Sequence, residues 1–386
     1  METIGVICEY NPFHSGHFRQ FQQIREKFGQ DARVVCLMSG NFVQQGEPAV
    51  LSKFDRAKVA VDCGANLVLE LPITAALSSA EGFASGAVAA LTALGAVDWL
   101  CFGSESADLP AIETTAKALL TPEYHRHVRQ ALEEKISYAA ARQRALEQIM
   151  PSCPQVMSPN DNLAVEYCKA ILRQHSALKP MALYREGDFH APEPSVRAPS
   201  ARSLRALRNV EDWRPYVPEN AMQDYEQAEL YRLIMGERAI LAKLRTMPSE
   251  EYEKLPFASE GLCWRFASVG REAVSVEDVI VNTKSKRYAR SRICRMLMCA
   301  YLGLSADDLC RPIPYLRVLG ADRGGLEILH QCKKTAKLPI INAGATPPDA
   351  EYYQLECRCA DLYTLFAVDS APRCGMEQDG RTYFKK

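Results

Sequence analysis

The sequence lacks any apolar run long enough to cross a membrane. Across its 386 residues, no stretch of consecutive apolar side chains approaches the ~18 that a transmembrane helix needs. The first residues also lack the apolar segment of a secretory signal. We therefore expect a soluble, cytoplasmic protein with no membrane partner. Because 47% of the residues are apolar and 24% charged, the chain can bury a sizeable core.

An excess of charge of one sign is also missing. Lys and Arg total 46 and Asp and Glu total 47, which leaves a net charge of -1. A general attraction to nucleic acid or to an anionic membrane requires a large positive balance. Any site for a polyanion must therefore be a local patch.

Cysteine is plentiful, but paired cysteine motifs are absent. The 14 cysteines are spread along the chain, and several lie inside apolar runs, which is typical of buried reduced thiols. The close pair Cys357 and Cys359 in "ECRC" lacks the C-x-x-C spacing of a zinc site. We predict neither a disulfide framework nor a metal held by protein ligands.

Short apolar runs alternate with helical patterns through the first two hundred residues. Helices are expected from His17 to Gly29, from Lys53 to Gly64 and from Ser79 to Gly95. This alternation predicts an α/β fold with a doubly wound parallel sheet. The expected strands are "TIGVICEY", "ARVVCLMSG", "ANLVLELP", "VDWLCFGSE" and "MALYR".

The pattern changes near residue 210 and becomes mainly helical, with one short strand expected at "LPIINA". We therefore divide the chain into an α/β catalytic domain (1–209), a mainly helical domain (210–373) and a polar tail (374–386). The polar residues of "CGMEQDGRTYFKK" predict a frayed end.

The stretch "CEYNPFHSGH" follows the first strand, where parallel sheets bind their ligands. We expect a helix to begin near Ser15 and to offer free N–H groups and a positive dipole end to phosphate. His14 and His17 then lie on one side of the first turn, and Gly16 leaves space for close approach of a ligand. Two donors placed in this way suit the stabilisation of charge on a transferring phosphate. A capped helix start without a catalytic role is the alternative.

"HSGH" in this position resembles the H-x-G-H signature of the nucleotidylyltransferase superfamily, which implies a nucleotidylyltransferase-like Rossmann domain that binds ATP. The superfamily carries a second motif, and "SARSLR" resembles its Ser-x-x-x-x-Arg form, with Ser200 and Arg205 in the matching positions. "TKSKR" superficially resembles the alternative Lys-rich form, but it leads into the helical region.

Further motifs narrow the resemblance to the tRNA(Met) cytidine acetate ligase family. They occur in order along nearly the whole chain: "VICEYNPFHSGH", "LMSGNFVQQGEPAVLSKFDRAK", "GANLVLELP", "CFGSES", "SPNDNLAVEY" and "KRYARSRICRML". The family activity implies that acetate is activated with ATP as acetyl-adenylate. The acetyl group is then transferred to N4 of the wobble cytidine of elongator tRNA(Met).

The resemblance also implies which residues act. His14, His17 and Arg205 would be catalytic. The family's Pro-Asn-Asn appears here as Pro159-Asn160-Asp161. The implied nucleotide contacts are Ile7, Cys8, Glu9, Tyr10, Asn11, Pro12, Phe13, His14, Ser15, Gly16, His17, Gln20, Gly103, Asn160, Arg185 and Ser200.

A basic run without any acid lies between residues 284 and 295. If it is helical, its paired arginines face one way and create a local positive field in a chain of almost no net charge. This pattern favours contact with the tRNA backbone, and a solvated helix face is the alternative. Arg197, Arg202, Arg205 and Arg208 extend the track toward the cleft. The run consists of Lys284, Lys286, Arg287, Arg290, Arg292 and Arg295.

Other charged residues have two interpretations each. Glu70 and Glu105 stand at strand ends, where a carboxylate could hold Mg²⁺ or accept a proton, or could be a buried acid paired with an arginine. Lys53, Arg56 and Lys58 are expected to be solvated on a polar helix face, and contact with RNA phosphates is the alternative.

We expect an ATP-dependent, RNA-modifying ligase that uses Mg²⁺, acetate and tRNA. One alternative is an adenylyltransferase for a phosphorylated small metabolite, which would leave the helical domain unexplained. The other is a nucleotide-gated RNA-binding protein that performs no chemistry.

Overall fold

A central sheet of eight strands organises the molecule. The computed structural model describes residues 1–134, 136, 138–151, 158–185, 194–207 and 209–386. The strands are β1 (Thr3–Cys8), β2 (Arg33–Ser39), β5 (Leu67–Leu71), β6 (Trp99–Ser104), β7 (Lys179–Tyr184), β8 (Leu316–Ala321), β9 (Ile340–Asn342) and β10 (Tyr383–Phe384), while β3 (Phe42–Val43) and β4 (Glu47–Pro48) form a separate hairpin.

The first five strands of the sheet are parallel and run in the order β5-β2-β1-β6-β7. The chain therefore adds β2 and β5 on one side of β1 and then crosses over to add β6 and β7 on the other side. This order places a topological switch point between β1 and β6. The doubly wound α/β fold expected from the sequence is confirmed.

Helices cover both faces of the sheet and form a separate layer in the second half of the chain. The α-helices are α1 (Ser15–Phe28), α2 (Lys53–Asp62), α3 (Ile73–Ala76), α4 (Ala80–Leu94), α5 (Leu109–Ala118), α6 (Pro122–Glu133), α7 (Tyr138–Ile149), α8 (Pro159–Arg173), α9 (Ala201–Ala206), α10 (Glu219–Tyr225), α11 (Glu237–Thr246), α12 (Ser249–Glu253), α13 (Leu262–Glu272), α14 (Val276–Thr283), α15 (Arg290–Leu302), α16 (Ala306–Leu309), α17 (Arg323–Thr335), α18 (Ala350–Tyr363) and α19 (Met376–Asp379). Two 3-10 helices span Val210–Tyr216 and Thr364–Phe366.

Three clusters of buried apolar side chains hold these layers together. One lies between the sheet and α4, α5 and α8, and a second lies on the opposite face beneath α1, α2 and α10. The third is the core of the helical region, and it includes Phe42, Ile73 and Leu77 from the first part of the chain. These three residues follow the carboxyl ends of β2 and β5. The helical region therefore packs at the same edge of the sheet as the ligand-binding switch point.

The domain boundaries expected from the sequence do not match the structure. Strand β8 pairs antiparallel with β5, and β9 and β10 pair with β8, so part of the segment 210–373 and part of the tail 374–386 belong to the main sheet. The tail is ordered because it carries the buried Glu377 and the strand β10. The described helices include none that is both long and apolar enough to cross a membrane.

Buried ion pairs join this late sheet to the early one. Arg317 of β8, 3% exposed, donates from Nη1 to Glu70 and Glu377 at 2.9 Å each and from Nη2 to Glu356 at 2.6 Å. Lys53 also bonds Glu70, at 2.8 Å, and Glu377. Two cations thus face three carboxylates, and burial raises the pKa of Glu356 to about 7. Removal of one cation would leave buried carboxylates uncompensated.

We expect Arg317→Met to lower the free energy of unfolding by roughly 3–5 kcal/mol, because the three carboxylates lose their shared partner. Chemical denaturation would measure the effect. The control is Arg323→Met on α17, whose side chain is 95% exposed and lies 3.8 Å from Glu327. It should change stability by less than about 0.5 kcal/mol. Equal losses in the two variants would contradict the structural role of the cluster.

Candidate active site

The loop between β1 and α1 lies at the switch point of the sheet. It follows the carboxyl end of β1, and the loop after β6 and the N-terminus of α8 face it from the neighbouring strand. As the sequence predicted, α1 begins at Ser15. Ligands of open α/β sheets bind at this position.

His14 and His17 cap the helix reciprocally. Nδ1 of His14 accepts a hydrogen bond from the backbone N–H of Gly16 at 3.1 Å, and Nδ1 of His17 accepts one from the backbone N–H of His14 at 3.2 Å. In a neutral imidazole, one nitrogen accepts and the other carries the proton. Both rings are therefore assigned the tautomer in which Nε2 is the donor.

The two imidazoles are stacked and held neutral. Their ring centroids are 3.8 Å apart with an interplanar angle of 24°. Burial, together with the nearby charges of Arg185 and Arg19, lowers the pKa of His14 to about 3. Burial and the neighbouring His14 likewise lower the pKa of His17. Nε2 of His14 is buried and has no partner among the described residues, so it is a donor that awaits an acceptor.

Gly16 is required by the position of His14. A Cβ atom on Gly16 would lie 2.8 Å from Cε1 and 3.0 Å from Nδ1 of the His14 ring. Any other residue would push that ring away from the helix N-terminus. The glycine between the histidines is therefore explained by packing against the first histidine as well as by access for a ligand.

The rest of the stretch 7–20 divides between cleft and core. Tyr10 and Phe13 are 1% and 0% exposed and pack with Phe21, so a nucleotide could touch these two positions only through their backbone. Asn11 accepts from the Val50 backbone N–H at 2.7 Å, and Ser15 donates to the Tyr216 carbonyl at 2.8 Å. Ile7, Cys8, Pro12 and Gln20 lie on the same strand, loop and helix. Nucleotide binding by this stretch stays a prediction, and the structure adds that the side chains of Tyr10 and Phe13 belong to the core.

The second motif meets this loop. Ser200 caps α9 by accepting from the Ser203 backbone N–H at 3.1 Å. Arg205, one turn later, donates from Nη1 to the Asn11 carbonyl at 2.7 Å. Its Nη2 lies 3.7 Å from a Glu47 carboxylate oxygen. The structure thus brings Arg205 to the histidine loop across 194 positions of sequence.

A hydrogen-bonded chain forms the opposite wall. Arg185 donates to Asn160 at 3.3 Å, Asn160 donates to Glu105 at 2.6 Å, and Ser158 donates to the second oxygen of Glu105 at 2.7 Å. Glu105 is thus a positioning group for Asn160. Ser158 is not among the site residues expected from the sequence, although "SPND" is a good helix N-cap signal. Gly103 lies next to Arg185, because a Cβ atom added to Gly103 would lie 3.6 Å from Cδ of the Arg185 side chain.

Glu9 faces the hairpin at the end of β1. Its Oε1 accepts from the Gln44 backbone N–H at 2.7 Å. Burial raises the pKa of Glu9, and Arg205 and Arg56 act in the opposite direction. The loop "SGNFVQQGEP" is therefore a wall of the cleft.

Four other charged residues have structural roles. Glu70 is the buried acid paired with an arginine and a lysine, as one of the two interpretations held. Lys53 and Arg56 are 1% and 0% exposed, so the expectation that they are solvated is wrong. Lys58 is partly exposed and pairs with Asp62 and with Asp224.

The basic run is only partly a free surface. Arg290 forms a bidentate pair with Glu277, with N–O distances of 2.8 and 2.6 Å. Arg292 pairs with Glu260 at 3.0 Å, and Arg295 is 9% exposed and lies over the Phe257 ring. The six cations therefore do not form one exposed stripe as expected, because Glu277 and Glu260 pair with Arg290 and Arg292 and because Arg295 is buried.

Lys284, Lys286 and Arg287 remain exposed. Within the part of the chain that the structure describes, no ion pair involves any of these three side chains. They precede α15 rather than lying on it. Arg208 lies outside the described residues.

No group of three or more His, Cys, Asp or Glu side chains suited to a metal occurs among the described residues. All thirteen described cysteines are free thiols, most of them buried. Mg²⁺ needs only one or two carboxylates when it is bound largely by substrate phosphates. The site therefore fits an ion that arrives with a nucleotide, and Glu9 is the nearest carboxylate to the histidine loop in sequence.

Comparison with known proteins assigns the chain to a class and then to a family. A model described as HIGH Nucleotidyl Transferase matches residues 1–378. The tRNA(Met) cytidine acetate ligase of Acetivibrio thermocellus is 33% identical over 95% of both chains. That of Clostridium kluyveri is 35% identical over 88% of this chain and 89% of its own. The protein is therefore a member of the tRNA(Met) cytidine acetate ligase family.

Crystal structures support this assignment. TmcAL of Thermotoga maritima bound with alpha-thio ATP superimposes with a TM-score of 0.90 and 30% sequence identity, over 100% of this chain and 99% of the other. The apo form of the same protein gives a TM-score of 0.93. The family resemblance and the nucleotidylyltransferase-like fold are thus confirmed, and the class is that of ATP-dependent ligases.

We expect His14 and His17 to stay neutral between pH 8 and pH 5, because burial lowers the pKa of both rings. Nitrogen-15 NMR of the imidazoles should show protonated Nε2 and unprotonated Nδ1 throughout, with His14→Ala and His17→Ala assigning the signals. Below pH 6.5 the unfolded chain binds the extra protons, so stability should fall by up to about 1.4 kcal/mol per pH unit for each. Protonation of either ring near pH 6.5 would contradict the assignment.

Proposed function

We propose that this protein activates acetate with ATP as acetyl-adenylate and transfers the acetyl group to N4 of the wobble cytidine of elongator tRNA(Met). The observation that carries the proposal is the pair of stacked, neutral histidines at a helix N-terminus at the switch point, in which each Nδ1 accepts a backbone N–H and each Nε2 is left as the donor. Family membership supplies the substrates. A cytoplasmic location is part of the proposal, because the tRNA substrate is found there.

The first step is attack of an acetate oxygen on the α-phosphorus of ATP. A new O–P bond forms as the bond to pyrophosphate breaks, and negative charge accumulates on the α-phosphate oxygens. His14 and His17 donate from Nε2 to this charge, Arg205 adds a cation, and the N-terminus of α1 adds its dipole. Mg²⁺ bound with the nucleotide would neutralise the leaving pyrophosphate.

The nucleotide itself is held by the residues around this centre. The proposed contacts come from the stretch 7–17, from Gln20 and Gly103, and from the wall formed by Asn160 and Arg185. Ser200 contributes from the N-terminus of α9. The chain of bonds through Glu105 supports this set, because it fixes Asn160 and Arg185 toward the same cleft.

The second step is attack of the cytidine N4 amine on the acetyl carbon. A C–N bond forms, the bond from the acetyl carbon to AMP breaks, and the amine proton passes to the solvent. The wobble cytidine lies in the single-stranded anticodon loop, and its base must unstack from its neighbours to reach the cleft. The exposed cations Lys284, Lys286 and Arg287 are proposed to hold the RNA backbone.

Purified protein incubated with ATP, Mg²⁺, labelled acetate and bulk tRNA should form N4-acetylcytidine, detected by nucleoside mass analysis. His17→Ala should lower turnover by about 10²- to 10³-fold, as is typical when one transition-state donor is removed, and should leave tRNA affinity nearly unchanged. AMP attached to a phosphorylated metabolite, with no label in RNA, would point instead to an adenylyltransferase. If the wild-type protein binds tRNA but forms neither N4-acetylcytidine nor an adenylylated metabolite, and if His17→Ala binds tRNA equally well, the protein is a binding protein.

The triple variant K284A/K286A/R287A should bind tRNA more weakly and with a shallower salt dependence, because each lost phosphate contact removes about 0.7–0.9 from the slope of log K against log salt. Fluorescence anisotropy at several salt concentrations measures both quantities. The matched control is K333A/K334A/K337A, which removes three exposed lysines beside residues 93–95, near the amino ends of the strands. Equal slopes for the two variants would exclude residues 284–287 from the interface.

A further inference from the structure

One of the three tryptophans, Trp264, is exposed to solvent, whereas the other two are packed against neighbouring residues. Trp213 is 1% exposed, donates its indole N–H to the Leu204 carbonyl at 2.9 Å and meets Tyr225. Trp99 donates to Glu2 at 2.8 Å and lies beside Phe28. Trp264 on α13 is 52% exposed and makes neither a hydrogen bond through its indole nor a ring contact within the described ranges.

The segment that carries Trp264 is fixed from below. Arg292 donates to the Phe257 carbonyl at 2.8 Å, to Ser259 Oγ at 2.8 Å and to Glu260 at 3.0 Å. Tyr288 donates to the Glu260 carbonyl at 2.6 Å. Thus the part of the basic run that is not free to bind RNA holds the turn that leads into α13.

The same helix is tied to the free cations. Arg265, next to Trp264, donates from Nε to the Thr283 carbonyl at 2.9 Å and from Nη2 to the Asn282 carbonyl at 2.5 Å. Lys284 follows directly, and Lys286 and Arg287 come two and three residues later. The helix that carries the exposed indole is therefore hydrogen-bonded, through Arg265, to the two residues that directly precede the exposed cations.

We propose that Trp264 is a stacking platform for an unpaired base of the bound RNA, whose neighbouring phosphates contact Lys284, Lys286 and Arg287. The proposal rests on the proposed function in taking RNA as the ligand of this surface. Base stacking on an aromatic ring combined with cations along the backbone is how proteins hold single-stranded nucleic acid. A protein partner fits less well, because the centres of protein interfaces are depleted in lysine.

The contribution of Trp264 to RNA binding can be distinguished from that of the cations by the salt dependence of the affinity. An RNA stem-loop labelled with a fluorophore, with the anticodon-loop sequence of elongator tRNA(Met), is the probe. Trp264→Ala should weaken binding by about 10- to 100-fold and leave the salt slope as in the wild type, because stacking releases no counterions. Trp264→Phe should restore most of the affinity. Melting temperatures of both variants check that they are folded.

Intrinsic fluorescence gives a second readout. RNA should quench the tryptophan emission of the wild type and of the control Trp99→Phe, whose ring lies at the amino end of β6, but should quench Trp264→Phe much less. Wild-type affinity of Trp264→Ala together with weakened K284A/K286A/R287A would overturn the platform and leave the basic interface standing. Wild-type RNA affinity in both would overturn the platform and the interface together. A change of Trp264→Ala in self-association alone, seen by sedimentation, would overturn the platform in favour of a protein contact.

Discussion

The buried guanidinium of Arg56 holds the carboxyl edge of the sheet in place. It is 0% exposed and donates to the carbonyls of Glu9, at 2.6 Å, Ser39, at 3.0 Å, and Gly40, and also to Leu51, at 3.0 Å. It therefore joins the ends of β1 and β2 to the start of α2. A buried charge is costly unless its donors find partners, and here carbonyl oxygens accept four hydrogen bonds from it. The planar fork of five donors has no substitute in lysine.

The orientation of the catalytic loop depends on that edge. Once the Glu9 carbonyl is fixed, the chain turns through Tyr10, whose φ of 46° is unusual for a bulky residue. The following residues are held by Asn11, which bonds Val50, and by Arg205, which bonds the Asn11 carbonyl. These contacts position His14 at the helix N-terminus. In the proposed reaction, the positive charge for the phosphate comes from arginines, and the histidines act as neutral donors because burial lowers the pKa of both rings.

Local signals made the histidine-capped start of α1 predictable, whereas features that depend on partners distant in sequence were not predictable. The position of His14, Gly16 and His17 behind a strand foretold the helix start, since cap, glycine and strand are contiguous in sequence. Arg292 could not be assigned in this way, because its partners at Phe257 and Glu260 lie more than thirty residues away. The basic run looks unbalanced in the sequence because the acids that pair with it, Glu260 and Glu277, lie outside the run.

The same limitation explains the domain boundary. The segment "LRVLGA" (Leu316–Ala321) is a strand because β5 has a free edge for it and because Glu70 and Glu377 meet Arg317 there. Neither fact can be seen within a window of neighbouring residues. The polar tail was expected to fray for its composition, yet its Glu377 supplies a partner to Lys53 across 324 positions.

The hairpin of β3 and β4 packs directly between the candidate active site and helix α15. On one side, the Gln44 N–H bonds Glu9 and Glu47 lies near Arg205. On the other side, Gly46 has a φ of 80° and lies so close to α15 that a Cβ would come within 2.4 Å of the Arg295 backbone nitrogen. Arg287 precedes α15 by three residues, a span of at most ~11 Å. One short, packed element instead of a flexible linker therefore separates the cations from the candidate active site, and in the proposed function the backbone of this hairpin would fix the position of a bound RNA relative to the cleft.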